Sequence, residues 1–170
     1  MDRNTIERLG MEGLRRLIGR PAQSALVQFH TGRGRDSAGR RHHDVLALDD
    51  DHLEWTYDWT QWTFPVPERS DLCPQAPVLE RVDQIALRAS DEARERMARA
   101  QTRMLCFLQD GTRWLREGDY NHLRIARAIR SSRLILGDQH ADDFRRTVLE
   151  MMVRRRHRVE REAVASWREA

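Results

Sequence analysis

Between Ser90 and Gly111 the apolar residues Ala93, Met97, Ala100, Met104, Phe107 and Leu108 recur in steps of three and four, separated by charged and polar residues. That period gathers them into one stripe along an α-helix, whereas a strand would need alternation every second residue. Ser90 ahead of Asp91-Glu92 supplies an N-cap and the negative charge that a helix start favours, and Gly111 supplies the stop.

The same reading extends along the chain. Residues 5 to 18 place Ile6, Leu9, Leu14, Leu17 and Ile18 at helical spacing, ended near Gly19-Arg20-Pro21, and so predict a short amphipathic helix. Ser24 to His30 suits a short extended segment but is too brief to settle helix against strand, and Thr31 to His43 reads as a polar, locally basic loop. Trp55, Trp59 and Trp62 stand at i, i+4 and i+7, which stacks three indoles on one side of a helix running from Asp49–Asp51 to Pro65. Trp55 and Trp59 are expected in the core. Pro65, Pro67, Pro74 and Pro77 stiffen a connector, and Val78, Val82 and Ile85 mark the apolar face of a helix reaching Leu87.

Tyr120 to Leu136 predicts a helix closed by Gly137, and Asp142 to Trp167 one long final helix with Phe144, Val148, Met151 and Met152 as its stripe. No repeat occurs, and no strand beyond the short segment at Ser24 is required. The expected class is all-α, an irregular bundle of about six helices in a single domain, with 1–24 as an N-terminal helix and linker and 25–170 as the main body.

Composition narrows the function. At 170 residues the chain can bury about 70% of its unfolded surface around one core without a metal or disulfide staple. All 30 basic residues are arginine, which excludes Schiff-base chemistry and a phosphate-loop lysine. The net charge of +3 is too small to announce a nucleic-acid protein by itself. Cys73 and Cys106 fit neither a zinc nor a redox spacing; the Leu105-Cys106-Phe107 context reads as a buried free thiol, and a reducing, cytoplasmic compartment follows. No run is long and apolar enough for a signal peptide or a membrane span.

On the helix after Tyr120, Ile125, Ala128, Ile129, Ser132 and Leu136 share one arc, and Arg124, Arg127, Arg130 and Arg133 spiral across the other. Guanidinium groups so arrayed bind oxyanions bidentately, or they pair with acids such as Asp58. Two segments together carry a family resemblance. Tyr57-Asp58-Trp59-Thr60-Gln61-Trp62-Thr63-Phe64-Pro65 resembles the "HDYIQWLFP" signature, and Tyr120-Asn121-His122-Leu123-Arg124-Ile125-Ala126-Arg127 resembles "HNHLRITR", of the opioid growth factor receptor conserved domain. Phe29-His30-Thr31-Gly32 is similar to that domain's opening "FYxG", and Ser166-Trp167-Arg168-Glu169-Ala170 to its closing aromatic helix, so the resemblance spans about Ala25 to Ala170. The family's leading histidines are Tyr57 and Tyr120 here, its tyrosine is Trp59, and two of its apolar positions are Thr60 and Thr63.

The resemblance implies a receptor-like binding domain, in a stand-alone, bacterial form. Animal members bind a small peptide and act near the nucleus. The expected site is non-enzymatic and lies where the tryptophan helix meets the Asn121 helix. Asp58, Gln61, Trp62, Asn121, His122, Arg124 and Arg127 are its candidate residues, and a small anionic ligand or peptide is its partner. No cofactor or metal is expected: His42-His43-Asp44 with His30 lacks a spaced third ligand, the serines show no nucleophile elbow, and Asp49, Asp50 and Asp51 suit helix capping. The alternative is an arginine-rich nucleic-acid-associated protein using Arg33 to Arg41 and the run Arg154-Arg155-Arg156-His157-Arg158, which also suits an anionic membrane surface. Glu150, Glu160 and Glu162, four residues from Arg154, Arg156 and Arg158, favour a solvated helix face for that run.

Overall fold

A computed structural model describes residues 23–71, 73–156 and 159–170, and the predicted helix at residues 5–18 lies outside them. The described residues form nine α-helices and no strand. They are α1 (Ala25–His30), α2 (His42–Leu46), α3 (Asp50–Trp55), α4 (Trp59–Thr63), α5 (Arg81–Ala89), α6 (Asp91–Asp110), α7 (Asn121–Ile135), α8 (Asp138–Arg154) and α9 (Arg161–Glu169), with a 3₁₀ turn at Arg113–Leu115. The protein is all-α.

α6 carries the stripe expected of it: Ala93, Met97, Ala100, Met104, Phe107 and Leu108 are all buried. The Ser90 hydroxyl accepts the Ala93 N–H at 3.2 Å, and Gly111 follows the last turn. α1, α2, α5, α7 and α8 all pack on this helix, while α7 runs along α8 and is crossed by α9. The apolar arc of α7, Ile125, Ala128, Ile129 and Leu136, is buried with them.

Several expectations are settled or corrected by the structure. The choice left open at Ser24 to His30 falls to helix, because the Ser24 hydroxyl caps the Val27 N–H and turns the segment into a helical turn whose Leu26, Val27 and Phe29 enter the core. The tryptophan helix is two helices. Asp49 caps the first at the His52 N–H, 2.8 Å, as the acidic cluster suggested, but the chain breaks at Thr56–Asp58 before α4 begins. The break lets the Trp59 indole N–H fold back onto the Leu53 carbonyl, 2.9 Å, and satisfy a helix-end acceptor that would otherwise be orphaned. It also separates the indoles: Trp59 and Trp62 are buried, whereas Trp55 is 61% exposed beneath the Arg113 guanidinium.

The long C-terminal helix is likewise divided, at Arg155-Arg156. Arg155 donates to the Gln109 and Gly111 carbonyls at the end of α6, and Arg156 adopts a left-handed φ of 54°. Glu160 therefore caps the Gly118 N–H rather than lying one turn from Arg156, and of the three expected ion pairs the Glu150–Arg154 pair is formed among the described residues. Cys106 is exposed, not buried, because it projects from the far side of the α6 stripe. Val82 and Ile85 on α5 are exposed as well, although both belong to that helix's apolar face.

No helix of the described residues is long and apolar enough to cross a membrane.

Candidate site between the split tryptophan helix and the arginine helix

α4 meets the first two turns of α7, and the angle between them encloses a cavity of about 270 Å³. Gln61, Arg124 and Arg127 line it, together with Tyr57, Thr60, Ser70, Asp71, Tyr120 and Leu123. Asp71 stands on the exposed rim. The mouth is framed by two half-exposed phenols, Tyr57 and Tyr120, whose rings meet edge to face at 5.9 Å. These are the two positions at which the resembling signatures carry histidine, so both departures fall on one contact.

Arg124 is only 5% exposed. Its guanidinium donates to Asn121 Oδ1 at 3.0 Å, to the Glu54 carbonyl at 3.0 Å and to the Thr56 carbonyl at 3.1 Å, and it lies 5.7 Å from the Trp59 ring centre. It therefore holds open the break between α3 and α4. Burial pushes its pKa down, with the nearby Glu54, Tyr57 and Asp119 opposing that shift.

Arg127, one turn further on, donates from Nε to the Phe64 carbonyl at 2.9 Å. Among the described residues neither of its terminal nitrogens has a hydrogen-bond partner, and neither Arg124 nor Arg127 has a carboxylate within ion-pair distance. Desolvation lowers the Arg127 pKa to about 10, with Glu68 and Cys73 working against the fall. The group stays cationic at neutral pH. The side chain is half-buried, and its two terminal nitrogens are the groups to which an oxyanion could bind bidentately.

The other four candidates are engaged elsewhere. Asp58 accepts Arg40 at 2.8 Å, and the same arginine holds Asp36, so Asp58 ties the 31–41 loop to the start of α4. Trp62 packs against Phe29 and donates to Ser37 Oγ at 3.2 Å. Asn121 is clamped between Arg124 and the Glu54 carboxylate. His122 is hydrogen-bonded to the Trp114 carbonyl at 2.7 Å and sits against Trp167, whose indole N–H donates to the His122 carbonyl at 3.0 Å. These four brace the site's walls; they do not line the cavity. Gln61 does, and with its amide turned its nitrogen donates to the Asp58 carbonyl at 3.2 Å and to Thr60 Oγ1 at 3.0 Å.

Sequence reasoning missed Ser70, Asp71 and Leu123 entirely. The first two lie in the proline-stiffened connector, where no periodicity marks which side chain faces inward. Tyr57 was visible beside Asp58 and Gln61 on the polar side of the tryptophan segment, and Tyr120 as a departure from the second signature.

The other two arginines of the α7 row have partners. Arg130 pairs with Glu68, and Arg133 with Asp138 and Asp142 at 2.9 and 3.0 Å. Arg40 is held as above, Arg35 donates to the Gly39 carbonyl, and Arg154 and Arg155 are bound to Glu150 and to α6 carbonyls. Both basic stretches that would serve a nucleic-acid surface are thus partly consumed by internal contacts. Among the described residues no group of three or more His, Cys, Asp or Glu side chains is placed to hold a metal ion. Comparison of the chain with protein families, with curated proteins and with solved structures gives no match.

Proposed function

We propose that the protein is a non-enzymatic binding domain whose ligand presents a small oxyanion, a carboxylate or phosphate group, to Arg127 and Arg124 beneath the Tyr57–Tyr120 pair. One observation carries the reading: among the described residues the Arg127 terminal nitrogens stand at the cavity without a hydrogen-bond partner, beside the buried Arg124 guanidinium, which also lacks an acid in contact. Thr60, Gln61 and Ser70 supply polar groups on the opposite wall, and the phenol rings and Leu123 supply apolar surface.

The cavity is small beside the roughly 300–1,000 Å³ typical of pockets for drug-sized ligands. It suits a compact anion or the charged terminus of a longer molecule, such as the C-terminal carboxylate of a peptide. The resemblance to the opioid growth factor receptor domain supports a receptor-like role through the matching residues Gln61, Arg124 and Arg127. Titration calorimetry with inorganic phosphate, acetate and a short peptide bearing a free C-terminus tests the proposal. At least one of the three binds the wild type and loses about tenfold or more in affinity in Arg127→Gln, the effect of removing one charge-assisted contact. Equal affinity in both proteins, or no binding of any probe, contradicts it.

A further inference from the structure

The cavity between α4 and α7 is lined by charges of both signs that do not meet. Arg124 and Arg127 reach it from α7, and Asp71 reaches it from the connector, on the exposed rim. Among the described residues no carboxylate, Asp71 included, comes within 4.0 Å of either guanidinium. Two other acids of this region are spent on arginines, Asp58 on Arg40 and Glu68 on Arg130. Asp71 is the acid that shares the cavity with two guanidiniums and pairs with neither. The mouth is also apolar: three of the seven large apolar side chains exposed among the described residues, Tyr57, Tyr120 and Leu123, line this one cavity.

We infer, resting on the oxyanion reading above, that the ligand is a small zwitterion, an α-amino acid with an apolar side chain. Its carboxylate takes the Arg127 terminal nitrogens, its ammonium faces Asp71, and its side chain covers the phenol rings and Leu123. Three properties of the cavity select this class. An α-amino acid carries its two charges on one carbon, about 3 Å apart, so with a charge-assisted hydrogen bond of about 2.8 Å at each end it bridges up to about 8 Å. That reach suits a guanidinium and a carboxylate separated by more than 4.0 Å on the walls of a cavity of about 270 Å³. The rim charge selects against a plain anion: inorganic phosphate or a simple carboxylate sets like charge beside Asp71, whereas an ammonium answers it. The volume selects against a peptide, which holds its ammonium and its carboxylate at opposite ends of a chain too long for this space.

NMR titration of the full chain, following the Arg127 Nε–H resonance, tests this with L-phenylalanine, 3-phenylpropionate and glycine. The second probe is phenylalanine without its ammonium, and the third is phenylalanine without its side chain. L-Phenylalanine binds about threefold or more tighter than 3-phenylpropionate, the effect of one ion pair at an exposed rim. It binds about tenfold or more tighter than glycine, the effect of covering apolar surface with a ring. In Asp71→Asn, a change of equal size at an exposed position, the first ratio falls to about one and the second persists. Equal affinity for L-phenylalanine and 3-phenylpropionate in the wild type, a first ratio that survives Asp71→Asn, or glycine as tight as L-phenylalanine overturns the inference. In those cases the oxyanion reading still stands if Arg127→Gln weakens 3-phenylpropionate; failure of every probe to bind overturns both.

Discussion

The two ends of one arginine row on α7 behave as different chemical objects. Arg130 and Arg133 stand toward solvent and are paired with carboxylates on the 65–71 connector and α8. Arg124 and Arg127, one and two turns earlier, are enclosed and spend their bonds on neutral acceptors, the carbonyls of Glu54, Thr56 and Phe64 and the Asn121 amide. Identical side chains at regular spacing thus divide into a solvated half and a half that holds positive charge in reserve. What separates them is the neighbour each turn of α7 meets: acidic surface at one end, the broken tryptophan helix at the other.

The largest effect expected from breaking this contrast comes at Arg124. Arg124→Ala leaves the Glu54 and Thr56 carbonyls and the Asn121 amide without their donor, which costs about 3–5 kcal/mol of stability measured by denaturant unfolding. A loss under about 1 kcal/mol would mean that the guanidinium is not what holds the α3–α4 break.

Acid sharpens the contrast by a different route. The imidazoles of His30 and His42 are buried 5.5 Å apart and are neutral, their pKa values lowered to about 4 and about 3, in both cases chiefly by desolvation. Arg96 adds repulsion to both, and His30, His43 and Arg99 add to that on His42. The folded values lie below the unfolded 6.5, so the unfolded chain takes up protons first as pH falls, and stability present above pH 6.5 is lost on the way down through 4 and 3. Between pH 7 and pH 5 the loss is about 2 kcal/mol for each imidazole, read from unfolding curves at the two pH values. Substituting both histidines by glutamine flattens that slope; an unchanged slope would place its origin elsewhere.

Arg127 comes next. Its loss is expected to leave the fold within about 1 kcal/mol of wild type, since one neutral-acceptor hydrogen bond goes, while oxyanion affinity falls about tenfold or more. The smallest effect belongs to the solvated half. Arg130→Ala changes stability by less than about 0.5 kcal/mol, and the difference shrinks further at high salt. Were Arg130→Ala to cost as much as Arg124→Ala, the division of the row would be wrong.

The contrast also marks what the residue order reveals. α6 and the buried arc of α7 are legible because each is a long periodic pattern with its own cap and stop. The break at Thr56–Asp58 is not, because its cause lies outside the segment: Arg124, nearly seventy residues on, supplies the donors that make a helix end there favourable. Arg155 acts similarly at the junction of α8 and α9, reaching back to the end of α6. Local spacing counted the tryptophans correctly and set Trp55 on the wrong side, since a one-helix reading has no place for a bend stabilised at long range. The candidate site was legible in its location and its cations. Its division into lining residues and bracing residues was not, because Asp58, Trp62, Asn121 and His122 look as available in the chain as Gln61 and Arg127 do, and only their partners in space distinguish them.

The most direct measurement of the central claim follows the arginine Nε–H resonances of the full chain by NMR during titration with inorganic phosphate. The account predicts a saturable shift at Arg127, weakened in Tyr57→Ala, while Arg130 and Arg133 move only as an equal ionic strength of chloride moves them. A phosphate response spread evenly over all four arginines, or none at Arg127, would contradict it.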